Sequence, residues 1–407
     1  MRLHFSLSRM DIKNWKAFQQ RKFFPKFGKC WYAWMESAEP GSGIREETIV
    51  ADRTIAVVGA GIIGRTHLDA IAAAEGFTIS GIVEPGPNGQ EVAARYGTRL
   101  YAGFDAMLDE RPDGVVIATP NESHVDLAVR TVEAGIPAIV EKPVATTVAE
   151  ARRLLAAMTA AGVPVMTGHH RRFNPIILKA RDLVASARFG HLVQGSVLCS
   201  LRKEDAYFDV EWRRTPGVGG PLLINMIHEI DLLRFLFGEI ETVTGITSNR
   251  ERGLEVEDTA GAILTFRDGG VVTLSVSDAA CGPWAWDISA GENLARFPAH
   301  KVQSHFFAGS AAGLSLPDLA VWTHPGEKTW YDEMQSARET VTAADSYIAQ
   351  VRHFGDVIAG TAEPRCSALD GARNLAVIDA IKASSASGMR LRFDADGLAT
   401  RPVEAMA

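Results

Sequence analysis

Cysteine is scarce in this chain: four in 407 residues, Cys30, Cys199, Cys281 and Cys366, all far apart. That spacing fits no zinc site, so no metal is expected, and it points to reduced cytosolic thiols. No basic run or stripe occurs and the net charge is −7, which argues against a nucleic-acid partner. No apolar run is long enough to span a bilayer. Internal repeats and low-complexity tracts are missing as well. The class left is a mildly acidic cytoplasmic enzyme. Its 46% hydrophobic content is enough to bury a large core, in two domains at this length.

The first fifty residues differ from the rest. They are rich in Lys, Phe and Trp, have no clear period, and end in the linker-like Glu39-Pro40-Gly41-Ser42-Gly43. Lys13, Lys16, Arg21, Lys22 and Lys26 interrupt any apolar region, so this is no secretory signal. A poorly ordered extension or an over-extended gene start is expected over 1–50. A dinucleotide-binding domain is expected over 51–173, an α+β domain over 174–395 and a tail over 396–407.

The organising stretch is Thr54 to Gly64. An apolar run, Ile55-Ala56-Val57-Val58, meets Gly59-Ala60-Gly61-Ile62-Ile63-Gly64 in the spacing G-x-G-x-x-G, and a helix is expected after it. Gly59 permits the tight turn, Gly61 lets a pyrophosphate approach the backbone, and Gly64 lets the helix lie close on the strand. Phosphates would sit at the helix N-terminus, where Ile62 and Ile63 offer free N–H groups. The next strand ends in Glu84, about twenty residues past the last glycine, where a ribose-binding carboxylate is expected. These features imply NAD, with NADP disfavoured by the carboxylate.

From Arg53 to Thr167, strands alternate with helices, which implies a doubly wound parallel Rossmann sheet. Strands are expected at 54–58, 77–83, 99–101, 114–118, 138–140 and 163–167. Beyond Asn174 come helices at 176–187 and 223–237 and strands at 192–201, 240–247, 259–266 and 271–277. Asp268-Gly269-Gly270 makes a hairpin turn. This reads as an α+β domain with a large, mostly antiparallel open sheet, followed by helices at 346–359 and 371–387.

Chemistry is expected at the carboxyl ends of the first sheet's strands, where open α/β sheets bind ligands. Thr119, Pro120, Asn121 and His124 follow the fourth expected strand; Asn121 is also a plausible helix cap. Glu141-Lys142-Pro143 ends the fifth, and Lys142 there can bind a substrate hydroxyl and lower its pKa, unless it is a Lys–Glu surface pair. His228 follows the glycine-rich Gly217–Gly220. At helical steps of three it shares a face with Asn225 and Asp231, and a histidine titrating near neutrality can exchange the hydroxyl proton. In His169–Asn174, His170 and Arg172 are read as substrate contacts rather than metal ligands. Trp212 is a further substrate candidate. Trp284, Trp286 and Trp330 are either sheet core or the lining of a sugar site.

Together, GAGIIG, ATPNESH, EKP at Glu141–Pro143, GGPLLINMIHEIDLLRFLFG and the helix near 371–388 resemble the Gfo/Idh/MocA family of glucose–fructose oxidoreductases, inositol dehydrogenases and rhizopine-catabolism proteins. The resemblance covers about residues 53 to 393. It implies NAD(P) on the first domain and a sugar or polyol on the second domain's sheet. It also implies Lys142 and His228 as the pair serving hydride transfer, and a homodimer or homotetramer joined through that sheet. The family often carries an aspartate four residues before the histidine. Ile224 stands there, beside Asn225, so His228 is left as the proton shuttle, oriented by Asp231. Two other roles fit the same resemblance, a non-catalytic NAD-sensing regulator and a redox-neutral enzyme that retains its NAD.

Overall fold

The computed structural model describes residues 52–403, so the expectations for residues 1–50 and for the last few residues of the tail lie outside it. Among the described residues the strands are β1 Arg53–Val58, β2 Phe77–Val83, β3 Gly114–Ile117, β4 Ala138–Val140, β5 Val165–Thr167, β6 Leu192–Ser200, β7 Ile240–Ser248, β8 Thr259–Phe266 and β9 Val271–Ser277. Six more follow: β10 His305–Gly309, β11 Gly313–Leu316, β12 Ala320–Thr323, β13 Gln335–Arg338, β14 Leu391–Phe393 and β15 Thr400–Pro402. The α-helices are α1 Ile62–Ala73, α2 Gly89–Arg95, α3 Phe104–Asp109, α4 His124–Glu133, α5 Val148–Ala161, α6 Pro175–Val184, α7 Ile227–Phe237, α8 Trp286–Ser289, α9 Ser346–Ile358 and α10 Ala368–Ser387.

β1 to β5 form a parallel sheet in the order β2-β1-β3-β4-β5. Its central strands are apolar throughout because helices cover both faces; β3 and β4 are buried at every position. The order reverses between β1 and β3, and a crevice opens there at the strands' carboxyl ends. The strand expected at 99–101 is reduced to one bridge, Ile82 to Leu100. α9, beyond the second sheet in sequence, packs on this first layer: Val351, Phe354 and Val357 join Ile55, Leu68 and Ile71 in one buried cluster.

The second sheet has ten strands in the order β13-β12-β11-β10-β6-β9-β8-β7-β14-β15. Its neighbours pair antiparallel except β6 and β9, which run parallel. β8 and β9 fall at the bounds their alternation predicts, and Gly269 and Gly270 turn between them at φ 95° and 90°. One face is covered. α10 lies so close on β7 that a Cβ at Gly245 would meet the Ile381 carbonyl oxygen at 2.5 Å. The opposite face leaves Val193, Ile246, Ile263, Val271, Phe306 and Trp322 exposed. β15, in the expected tail, is an edge strand on β14.

The helix expected at 223–237 is not uniform. Leu222–Met226 is a π-helical turn, in which the Ile227 N–H reaches back to the Leu222 carbonyl, and α7 continues from it. Such a turn widens the helix by one residue and is frequent at functional sites.

Candidate active site

Gly59 and Gly64 are packed as their spacing implies. Gly59 sits at φ 91°, and a Cβ there would meet the Ala118 carbonyl oxygen at 2.6 Å, so β1 and β3 approach closely at the crevice. At Gly64 a Cβ would strike the Gly59 oxygen at 2.0 Å. At Gly61, the N-terminal cap of α1, a Cβ would meet nothing within 4 Å, so this backbone faces open space. No side chain caps α1, which leaves the N–H groups of its first turn for an anion. Glu84 accepts from the Ala60 N–H at 2.7 Å and from the Gly86 N–H at 2.8 Å. A carboxylate has about four acceptor positions, so two remain for ribose hydroxyls. The donor set therefore fits a dinucleotide.

Thr119, Pro120 and Asn121 line the end of β3, with Thr119 and Asn121 partly exposed and Pro120 exposed. Asn121 caps neither the short helix it opens nor α4. His124 departs from the expectation of a cofactor contact. It is buried, and its two ring nitrogens face the Pro143 and Thr119 carbonyls at 2.8 and 2.9 Å. It braces the two loops that border the crevice.

Glu141 is not in a surface pair either. It is buried, and its carboxylate faces His67 Nε2 of α1 at 2.8 Å and accepts the Lys142 N–H at 3.1 Å. Burial opposes its ionisation, but the contact with His67 outweighs this and its pKa lies below the ordinary value. The pair ties the phosphate-facing helix to the Lys142 backbone. His67 carries no motif of its own in the sequence beyond lying three residues past the last glycine.

Lys142 reaches across to the second domain, where its Nζ donates to the Ile224 carbonyl at 3.0 Å. Burial lowers its pKa from the ordinary lysine value to about 8. The residue that cannot orient anything with its side chain thus does so with its backbone, from the π turn. His228 is buried and its Nδ1 has no hydrogen-bond partner among the described residues. Its pKa is pushed well below the ordinary value, first by burial and then by the charges of Lys142, Arg171, His169 and His170. His228 is therefore neutral at neutral pH, and a titration near neutrality does not belong to it.

Asp231 does not orient His228. Its carboxylate takes Arg172 Nε at 2.9 Å and Arg172 Nη2 at 2.7 Å, and Asn374 Nδ2 of α10 at 2.7 Å. Burial alone would raise its pKa, yet the Arg172 guanidinium holds it at about 2. Steps of three along one α-helix put Asn225, His228 and Asp231 on one face, but the π turn breaks that period ahead of His228. Arg172 likewise departs from the expected substrate contact. Its remaining guanidinium nitrogen donates to the Arg365 carbonyl at 2.7 Å, so it is consumed in a buried ion pair and not offered to substrate. Arg171 pairs with Glu229 at 2.8 Å, and Glu229 with His305 at 2.7 Å. His169 lies edge-on to His228, with ring centroids 5.5 Å apart.

His170 does face the site. Its ring lies 5.5 Å from that of His228 and stacks on Tyr347 at 4.3 Å. Trp212 is half-exposed on the short helix Glu211–Arg214, with the Arg213 guanidinium 5.6 Å from its ring centroid; nothing in its contacts joins it to Lys142 or His228. Trp286 is core, fully buried and donating to Glu292 at 2.9 Å, whereas Trp284 and Trp330 are exposed. Asn225 accepts at Oδ1 from Lys203 Nζ at 2.8 Å. Lys203 has no sequence motif, and the folded sheet alone brings it here.

Residues 53–169 match the profile of the oxidoreductase family with an NAD-binding Rossmann fold, and residues 181–393 match that family's C-terminal alpha/beta domain. D-Apiose dehydrogenase of Paraburkholderia graminis is 28% identical over 352 residues, covering 82% of this chain and 88% of the relative. Inositol 2-dehydrogenase 2 of Saccharopolyspora erythraea is 30% identical over 233 residues, covering 54% of this chain and 66% of the relative. An oxidoreductase from Agrobacterium radiobacter, solved with NAD+, L-tartaric acid and magnesium, superposes with TM-score 0.71 at 20% identity, covering 84% of this chain and 98% of the other. The WlbA dehydrogenase of Bordetella pertussis, solved with NADH and UDP-GlcNAcA, gives TM-score 0.68 at 22% identity over 84% and 99%. These two likenesses concern the fold. With both of its domains matched across the glycine turn and the Lys142–His228 region, the chain belongs to the Gfo/Idh/MocA oxidoreductase family and is an NAD-binding member of it.

Proposed function

We propose that Lys142 and His228 carry hydride transfer at a carbinol carbon of a sugar or polyol, with NAD preferred to NADP. The observation behind this reading is that a partly buried lysine, its Nζ held by the Ile224 carbonyl of the π turn, and a buried imidazole with an unpaired Nδ1 in the first turn of the helix that follows come to one place. When bound, the nicotinamide ring supplies the hydride acceptor or donor. Lys142 polarises the substrate oxygen, and as a cation it stabilises negative charge developing there. His228, uncharged, takes the hydroxyl proton in oxidation and returns it in reduction. Asn225 and His170 bind the rest of the substrate. The relatives named apiose and inositol dehydrogenases support the substrate class. Glu84 supports the cofactor preference, since its carboxylate would repel a 2′-phosphate.

We place the chain in the cytoplasm; no helix among the described residues is long and apolar enough to cross a membrane. The exposed apolar face of the ten-stranded sheet would join copies into a dimer or tetramer. Light scattering at micromolar concentration tests that, and a monomer contradicts it. Function is tested by a screen of inositols, aldoses and sugar acids with both cofactors, read by nicotinamide absorbance. Turnover of a polyol or sugar is expected, and none with any of them overturns the reading.

A further inference from the structure

Two lysines from different sheets end on consecutive residues of the same π turn. Lys142, after β4, holds the Ile224 carbonyl at 3.0 Å; Lys203, after β6, holds the Asn225 side chain at 2.8 Å. A lysine ammonium only donates, so the amide oxygen of Asn225 must face Lys203 and its NH2 must face away. That NH2 has no partner among the described residues. Lys203 is itself built into place. The Lys203 N–H donates to the Asp278 carbonyl at 2.9 Å, and its Nζ lies 4.6 Å from the centroid of the Tyr207 ring. Arg213 covers that ring at 4.1 Å. The Asp278 carboxylate is 3.7 Å from Nζ, beyond hydrogen-bond length, and is taken at 3.0 Å by Arg252 Nε. Lys203 therefore has three N–H groups and one hydrogen bond from them, though it is nearly buried.

We propose that Lys203 and Asn225 form a recognition subsite for a second acceptor oxygen of the substrate, distinct from the oxygen that Lys142 and His228 handle. The inference rests on the hydride-transfer reading above. It deepens that reading by requiring a substrate with at least two oxygens in reach of one π turn. The Asn225 NH2 and the spare Lys203 N–H groups are all donors, so they select lone pairs: a hydroxyl oxygen of a polyol, or a carboxylate of a sugar acid. The lysine acts both directly and by fixing the amide, because without it the Asn225 side chain is free to turn its oxygen toward the substrate.

The test compares wild type with Lys203→Met and Asn225→Ala. NAD-loaded protein is titrated with inositols, aldoses, aldonic acids and their deoxy analogues, by calorimetry and by turnover. Lys203→Met is expected to weaken binding and raise KM by about 10–100-fold, the worth of a charge-assisted hydrogen bond, with kcat changed by less than about threefold. One deoxy analogue should bind both proteins equally, and the position of its missing oxygen identifies the recognised one. A loss confined to sugar acids names a carboxylate, and a loss across neutral polyols names a hydroxyl. Lys203→Met and Asn225→Ala together should cost less than the sum of the two. Equal KM in wild type and Lys203→Met on every substrate turned over overturns the subsite and leaves the hydride-transfer reading standing. Ligand binding lost in Lys203→Met, with no turnover by wild type, keeps the subsite and overturns that reading. A panel that neither binds nor reacts overturns both. Lys203→Gln, which keeps a donor without the charge, replaces Lys203→Met if the latter does not fold.

Discussion

The two sides of the crevice are made of different materials. The cofactor side is mostly backbone: a glycine turn with no room for a Cβ at Gly59 or Gly64, uncapped N–H groups, and a carboxylate that itself holds two N–H groups. The substrate side is mostly side chains, kept in place by buried ion pairs such as Arg172 with Asp231 and Arg171 with Glu229. Backbone recognition depends on a few adjacent residues and tolerates change elsewhere. Side-chain recognition depends on partners drawn from α7, α10 and the segments after β5 and β6, so it is lost when any one of them goes. Lys142 is the exception that joins them: it follows a strand of the first sheet and is held by a carbonyl of the second domain.

The sharpest way to break this contrast is Lys142→Ala. It is expected to lower kcat by about 10³-fold while the NAD dissociation constant stays within about twofold, because the cofactor side is complete without that side chain. Equal losses in both measurements would show that the two sides are not separable. His228→Ala should cut turnover by about 10²–10⁴-fold. The pH profile separates the pair. Lys142 is required as a cation and its pKa is lowered to about 8, so kcat/KM should fall as pH rises through about 8. In the oxidation direction His228 is required neutral and its pKa lies well below the ordinary value, so no acid limb is expected near neutrality. An acid limb near neutral pH that vanishes in His228→Ala would contradict this assignment.

Arg172→Met tests the substrate side's framework without touching a reacting group. It leaves the Asp231 carboxylate buried beside only Asn374, His169 and Cys366, and removing one partner of a buried pair costs about 3–5 kcal/mol. Denaturant unfolding measures that loss, and a change under about 1 kcal/mol would show that Asp231 is protonated or rehydrated instead. The smallest effect is on the cofactor side: NAD should bind roughly tenfold more tightly than NADP, a difference of about 1.4 kcal/mol. Tighter NADP binding would show that Glu84 swings away and a cation takes its place.

The same contrast explains what could be read in the sequence. Gly59, Gly61, Gly64 and Glu84 are a local pattern, and they sit where the pattern implies. β8 and β9 were legible to the residue because alternation and a two-glycine turn are also local. β10 to β13 are not: each is only four or five residues long, and although they pair with one another in sequence order, β10 joins the sheet only through the distant β6. The third expected strand failed because 99–101 finds only one bridging partner. Helical spacing makes Asp231 the expected orienter of His228, and residue type makes Arg172 an expected substrate contact, yet each is the other's counter-ion across fifty-nine positions. Lys203 was invisible for the same reason, since its role depends on an asparagine twenty-two residues away in another element.

The π turn at 222–226 makes the site sensitive to length as well as to composition. An α-helix advances about 100° per residue, so Ile224 and Asn225 keep their direction relative to His228 only while the number of residues between them is kept. Deleting Met226, the last position of this turn, would change no catalytic side chain. It would turn Ile224 and Asn225 by about 100° against His228, carrying the carbonyl that holds Lys142 and the amide that holds Lys203 around the helix. Substitution scanning would report most of these five positions as ordinary hydrophobic core. Insertion and deletion scanning would single them out, because what they contribute is a count.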